Sequence, residues 1–378
     1  MSTQKIARVD KLASHTIPIP QTDLRSALSE AEPLWRKNLE RVLQRAQFVL
    51  GEELAAFEAE FARATNAHFV IGVGSGTDAI EICLRERGIA SPDREVLTSP
   101  LTAPFTGLAV LSAGASVRFA DIDPDTLLLD PASVAQRITS RTAAILPVHL
   151  YGQPCRLQEF CRFGIPVIQD ACQAHTAKYG GQPLTNYSDW VAYSFYPTKN
   201  LGGLGDGGAI ATTDPSIAQR VRILRDGGRC GSHVSTVAGI NSRLDDLQCC
   251  FLRAFLPYLE TWNERRRQLA NYYDEILRDC PGIRLLTRSP ESVNHLYVIR
   301  AERRDRLRQH LLDREIATGM HYPVPLHLQP AFAGCAAGKG EFPHAEQACA
   351  EIISLPLWPN MEPLLVERVA QAIRSFYR

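Results

Sequence analysis

The sequence has no excess of charge in either direction: 41 Lys and Arg are matched by 41 Asp and Glu, so the formal net charge is zero. That balance removes the electrostatic reason to expect nucleic acid or an anionic membrane as a partner. No apolar run approaches the ~20 residues needed to span a bilayer. Residues 1–16 alternate polar and charged side chains and lack the apolar stretch of a secretory leader. A cytoplasmic protein is expected, with its ten cysteines as reduced thiols. None of them forms a CxxC pair, so no metal site is expected. Repeats, low-complexity tracts and long linkers are missing too.

What is present is room for two cores. A chain of 378 residues, 45% hydrophobic and 22% charged, can build one large domain and a smaller one. The densest basic run, Arg265-Arg266-Arg267, is expected to be a solvated helix face. Apolar runs at 69–73, 95–98, 116–120, 143–148, 167–169, 191–195 and 208–212 read as strands buried on both faces of a mostly parallel sheet. Helical stretches such as 78–87, closed by Gly88, fall between several of them, which implies a doubly wound α/β domain.

Beyond this region the texture changes. The segment Ser242-Arg243-Leu244-Asp245 reads as a capping box. A long helical region follows to about Cys280, broken near Pro257. A strand over 296–300 and helices over 304–314 and 363–376 complete a smaller α+β domain. The boundary falls between 245 and 280, and we draw the domains as 1–250 and 251–378.

Three local features converge on one kind of ligand. Gly72-Val73-Gly74-Ser75-Gly76-Thr77 stands between a strand and a helix, where glycines and free N–H groups receive a phosphate; the amides of Gly76 and Thr77 and the Thr77 hydroxyl are the candidate donors. The run matches neither the Walker nor the dinucleotide pattern. Asp170 ends a buried strand, at the sheet edge where ligands collect, and can pair with a pyridinium nitrogen; capping of the next turn is its bland alternative. Lys199 leaves an apolar strand after Pro197 and runs into the glycine-dense stretch 202–208. Lysine makes imines, and partial burial lowers its pKa enough for nucleophile and base work. Ser194 could add a hydroxyl to the phosphate. Phosphate turn, acid and lysine follow in the order needed to meet around one small ring.

These motifs, together with Phe119-Ala120-Asp121-Ile122-Asp123, Gln169-Asp170-Ala171-Cys172-Gln173-Ala174-His175 and Asn241-Ser242-Arg243-Leu244-Asp245, resemble the DegT/DnrJ/EryC1/StrS sugar aminotransferases, from Ile19 to the C-terminus. The resemblance implies the aspartate-aminotransferase fold (fold type I): a large domain with a mostly parallel seven-stranded sheet flanked by helices, and a smaller C-terminal α+β domain. It implies pyridoxal 5'-phosphate, held as a Schiff base on Lys199, with pyridoxamine 5'-phosphate as the intermediate form. Asp170 would pair with the ring nitrogen and Gln173 would lie near the ring. Gly76, Thr77 and Ser194 would hold the phosphate. Asn241 would reach the phosphate of a neighbouring subunit, which implies a homodimer with shared sites. His321 is the leading substrate contact, with Tyr322 beside it.

The implied reaction moves an amino group from glutamate to a nucleotide-linked keto-deoxysugar, with a lean toward 3-keto sugars. One departure is Ala103, where many members carry an aromatic residue over the ring; Phe105 could be core instead. Alternatives on the same fold are an aminocyclitol transaminase, a sugar dehydratase and a non-catalytic regulatory module. The dehydratases replace the lysine, which Lys199 argues against, and a module would be expected to lose Lys199 or Asp170. His149 and His175 are expected to be structural, Cys172 to be packing, and the proline-rich stretch after His321 to be a surface loop.

Overall fold

A computed structural model describes residues 18–231 and 233–378, so the opening segment 1–16 lies outside the described residues. The expected apolar runs form one sheet. Its strands are β1 (Phe69–Val73), β2 (Glu95–Thr98), β3 (Ser116–Phe119), β4 (Thr142–Leu146) and β5 (Gln169–Asp170), followed, after the short hairpin of β6 (Lys178–Tyr179) and β7 (Gln182–Pro183), by β8 (Val191–Ser194) and β9 (Gly208–Thr212). The spatial order is β1-β9-β8-β5-β4-β2-β3, with the two halves joined by parallel bridges Ile145–Val167 and Val148–Asp170. Only β9 runs against its neighbours. β2 and β9 are buried at every position, which is why they read as runs without alternation; the polar ends of β2 are satisfied, Glu95 accepting from Thr139 Oγ1 and Thr98 donating to Leu146 O.

The parallel strands deliver their C-terminal ends to one edge. β1 leads into the Gly74 turn and the helix Gly76–Glu86, whose N-cap Ser75 accepts a hydrogen bond from Asp78 N at 3.1 Å. β5 ends on Asp170 and β8 on Ser194. β9 packs directly behind the turn: a Cβ on Gly208 would stand 2.3 Å from the Ser75 carbonyl oxygen, so only glycine fits there.

A second, antiparallel sheet consists of β10 (Ile283–Leu285), β11 (Tyr297–Ala301) and β12 (Ile352–Leu355). It shares a second core with the helices Leu259–Leu277 and Pro363–Tyr377, in which Tyr273 and Tyr297 stack at 4.6 Å. Ile19 belongs to this core; its N–H donates to Glu315 O at 2.8 Å, and Gln21 O accepts from Leu357 N at 3.2 Å.

The structure corrects several readings. Ser242 does not cap the helix Asp246–Phe255, which begins without a side-chain cap. Its hydroxyl is committed elsewhere, accepting from Gly74 N at 2.8 Å and donating to Asp78 Oδ2 at 2.6 Å, so it clamps the glycine turn. The break near Pro257 is a single 3₁₀ turn, Leu256–Tyr258. The basic run is only partly solvated: Arg265 and Arg267 pair with Glu30, Glu260 and Glu264, whereas Arg266 is 4% exposed. The stretch after His321 is a surface loop only in part: Pro323 and Val324 are exposed, Pro325, Leu326 and His327 turn inward and are buried, and Leu328 and Pro330 return to the surface.

Candidate active site

The strand ends open onto a cavity of about 710 Å³, lined by Gly76, Thr77, Asp170, Gln173, Ser194, Lys199, His321 and Tyr322. Eight of the nine residues expected at the site therefore meet. The ninth, Asn241, is exposed and does not line its own chain's cavity; it forms a β-bridge with Asp226.

At the glycine turn, the N–H groups of Gly76 and Thr77 have no acceptor among the described residues, as befits the first turn of a helix. A Cβ on Gly76 would come within 2.7 Å of both Cys172 Sγ and Ser194 Cβ, so backbone and the Ser194 strand approach as closely as glycine allows. Free donors, the Thr77 and Ser194 hydroxyls and a helix N-terminus together suit a phosphate.

Asp170 is buried. Its Oδ1 accepts from Cys172 N at 3.1 Å and its Oδ2 from Thr106 Oγ1 at 2.8 Å, and Thr106 is itself within 3.0 Å of Thr102 Oγ1. A carboxylate fixed by two donors is aimed, which suits pairing with a ring N–H. Gln173 is oriented by Tyr151 N, which donates to Oε1 at 2.7 Å, leaving Nε2 toward Tyr322 Oη at 3.3 Å.

Lys199 Nζ makes no hydrogen bond or ion pair among the described residues. Burial pushes its pKa below the ordinary lysine value, against the raising influence of Cys172 and Asp170. An unpaired, desolvated amine is a better nucleophile and base near neutral pH than a surface lysine. Its flank is rigid. Asn200 Nδ2 donates to Asn263 Oδ1 at 2.8 Å and to Val293 O at 2.9 Å, while His295 Nδ1 lies 3.1 Å from Asn200 Oδ1.

The histidines divide as follows. His149 is fully satisfied, with Nε2 2.9 Å from Gln169 Oε1 and Nδ1 accepting from Cys155 N, so it is structural. His175 donates from Nε2 to Ser194 O at 2.8 Å, leaving Nδ1 unpartnered; burial, with the Lys199 charge adding, pushes its pKa down to about 3. His321 holds Ser354 Oγ at 2.8 Å, and burial followed by Lys199 lowers it to about 4. Its carbonyl accepts from Tyr151 Oη. Phe105 is 59% exposed on the cavity rim and is not core, while Ala103, which caps the helix Pro104–Ala113, leaves that wall open. Cys172 lines the cavity beside the glycine turn, so it is more than packing.

Thr106, Asn200, Asn263 and His295 were not expected at the site, and Arg266 was expected only on a solvated helix face. The signal for two of them was present: Leu259, Trp262, Leu269, Ala270 and Tyr273 trace a buried stripe on which Asn263 and Arg266 also fall.

Comparison with known proteins agrees with this geometry. The model of the DegT/DnrJ/EryC1/StrS aminotransferase family matches residues 31–374. A Streptomyces venezuelae protein named dTDP-3-amino-3,4,6-trideoxy-alpha-D-glucose transaminase is 42% identical over 96% of this chain and 97% of its own. A Geobacillus stearothermophilus protein named pleiotropic regulatory protein is 39% identical over 95% and 99%. An Aneurinibacillus thermoaerophilus protein named dTDP-3-amino-3,6-dideoxy-alpha-D-galactopyranose transaminase is 37% identical over 95% and 99%. Among solved structures, S. venezuelae DesV in complex with a ketimine intermediate superposes with a TM-score of 0.93 at 41% identity, covering 96% of this chain and 99% of that one. NtdA from Bacillus subtilis with bound PMP does so with a TM-score of 0.87 at 29% identity, covering 96% and 86%. The cofactor is pyridoxal phosphate, and the residues lining the cavity fit it. By family match, full-length relatives and fold, the chain belongs to the DegT/DnrJ/EryC1/StrS aminotransferase family and is a pyridoxal-phosphate-dependent sugar aminotransferase.

Proposed function

We propose that the protein transfers an amino group from glutamate to the 3-keto position of a nucleotide-linked deoxysugar. The observation that carries the chemistry is the buried, unpaired Lys199 amine sharing one cavity with the aimed carboxylate of Asp170. The lean toward carbon 3 rests on the Streptomyces and Aneurinibacillus relatives, whose names both place the amino group there.

When bound, the pyridoxal ring supplies an electron sink for negative charge developing at the reacting carbon. The protein's residues do the rest. Gly76, Thr77 and Ser194 hold the phosphate through N–H and hydroxyl donors. Asp170 would keep the ring nitrogen protonated, and Gln173, which lines the same cavity, would help to orient the ring. Lys199 anchors the cofactor and, when its amine is free, moves the proton at the donor's α-carbon, work worth about 10²–10⁴-fold. His321 and Tyr322 border the space left for the sugar.

Asn241 completes the phosphate site of a second copy in a homodimer. Its exposure outside the lining of its own cavity supports this, as do Phe105 and Tyr196, large apolar side chains left exposed at the rim. The regulatory name of the Geobacillus relative offers a second reading, a binding module, which would have no use for a desolvated lysine.

The test is an absorbance scan of the cofactor-loaded protein with and without glutamate. A band near ~420 nm should fade toward ~330 nm, and K199A should abolish both the band and turnover. Mixing K199A with N241A chains should restore activity above that of either alone. Substantial transaminase activity in K199A removes the assignment of Lys199, and a band indifferent to every amino acid favours the binding module.

A further inference from the structure

The function above leaves one buried charge unused. Arg266 stands mid-way along the helix Leu259–Leu277, 4% exposed, and lines the cavity with Gln21, Thr22, His295 and Leu357. Its Nη1 donates to the carbonyls of His295 and Leu357, both at 3.3 Å. Nε has no acceptor, no hydrogen bond is made by Nη2, and among the described residues no Asp or Glu pairs with it. Of the five donors on a guanidinium, those on two nitrogens are therefore unspent. Burial pulls its pKa only down to about 10, so the group stays charged at neutral pH.

An unpaired buried charge is costly, and an arginine serving structure alone recovers that cost by pairing. Arg265 and Arg267, on either side, do pair with glutamates. Tying the helix to two carbonyls by long bonds does not account for the remaining donors. The location narrows the missing partner. His295, whose carbonyl Arg266 holds, touches Asn200, the residue after Lys199, and Arg266, Thr22 and Lys199 also border one recess of about 90 Å³. An amino donor must bring its α-carbon to Lys199, and its carboxylate lies one bond further on. Arginine's planar fork matches a carboxylate by two parallel hydrogen bonds.

We propose that Arg266 is the receptor for the amino donor's α-carboxylate, holding the α-carbon before Lys199 and selecting α-amino acids over plain amines. This rests on the aminotransferase reading of the cavity. No bond is made or broken in the step; an ion pair replaces the water that otherwise solvates the two groups.

The test uses cofactor-loaded wild-type, R266Q and R266K protein, with 2-oxoglutarate as the carboxylate probe and thymidine diphosphate as the control anion, both by calorimetry. R266Q should bind 2-oxoglutarate at least about 30-fold more weakly and thymidine diphosphate unchanged. The glutamate concentration that half-completes the spectral shift should rise by a similar factor, with the bound-cofactor spectrum unaltered. If R266Q does not fold, R266K, which keeps the charge and loses the fork, should weaken 2-oxoglutarate by about tenfold. Unchanged 2-oxoglutarate affinity in the folded variant, or a loss that falls on thymidine diphosphate instead, overturns the proposal. The two readings separate cleanly. Binding of 2-oxoglutarate through Arg266 without any glutamate-driven spectral shift sinks the donor assignment and keeps the receptor. A working glutamate reaction without 2-oxoglutarate binding sinks the receptor alone.

Discussion

Thr106 has no role in chemistry of its own, yet its hydroxyl fixes one oxygen of Asp170 at 2.8 Å inside the protein. A hydrogen bond to a charged group is worth about 1.5–3 kcal/mol. T106V keeps the shape and deletes the donor, so kcat/KM should fall by about 10- to 100-fold while T106S stays near wild type; a T106V enzyme at full rate would show that Asp170 needs no such support. Lys199 and Asp170 were legible because each combines an unusual residue with an unusual setting, a lysine before seven glycine-rich positions and an acid closing an apolar strand. Thr106 was not, since a threonine inside an apolar stretch looks the same whether it faces a helix carbonyl or a carboxylate from 64 residues away. Arg266 was misread because its charge outweighed its place on the buried stripe between Trp262 and Leu269.

At the scale of elements, the sheet was readable because strands buried on both faces leave continuous apolar runs. Helix ends were less so, because their caps come from afar. The helix Glu52–Thr65 begins at Gly51 without a local side-chain cap. Its cap is Asp246, from the start of another helix, which accepts from Gly51 N at 2.9 Å, Glu53 N at 3.1 Å and Leu54 N at 3.2 Å. Removing it leaves three buried donors bare, so D246A should lower unfolding stability by about 1–3 kcal/mol in urea, with D246N losing less. An unshifted midpoint would mean that water reaches those donors. The same remoteness explains Ser242, which has the spacing of a local cap and closes a turn 168 residues away instead.

At the scale of the whole molecule, burying basic groups near Lys199 sets a dependence on pH. His149 and His321 are lowered to about 4 and His175 to about 3, in each case chiefly by burial, and His295 is lowered well below its ordinary value. Below the unfolded value near 6.5 the unfolded chain binds protons that the folded one refuses, so stability falls as pH drops through the window from about 6.5 to 4. Each histidine contributes up to about 1.4 kcal/mol per pH unit there. Denaturation midpoints measured at pH 7, 6 and 5 should decline steadily; a flat series would mean that these rings accept protons when folded. The sequence pointed to His149 and His175 as structural, but among its ten histidines nothing marked His295 and His321 as shut away from water.

The cavity draws on Gln21 and on Leu357, and the Gln21 carbonyl is hydrogen-bonded to the Leu357 amide. A ribosome must therefore release the chain through Leu357 before this wall of the cavity can close. Contacts of such sequence separation form slowly, after the local elements are in place. Chains truncated before Leu357 should therefore lack that wall, and they should carry less of the yellow colour of bound vitamin B6 than chains that include it.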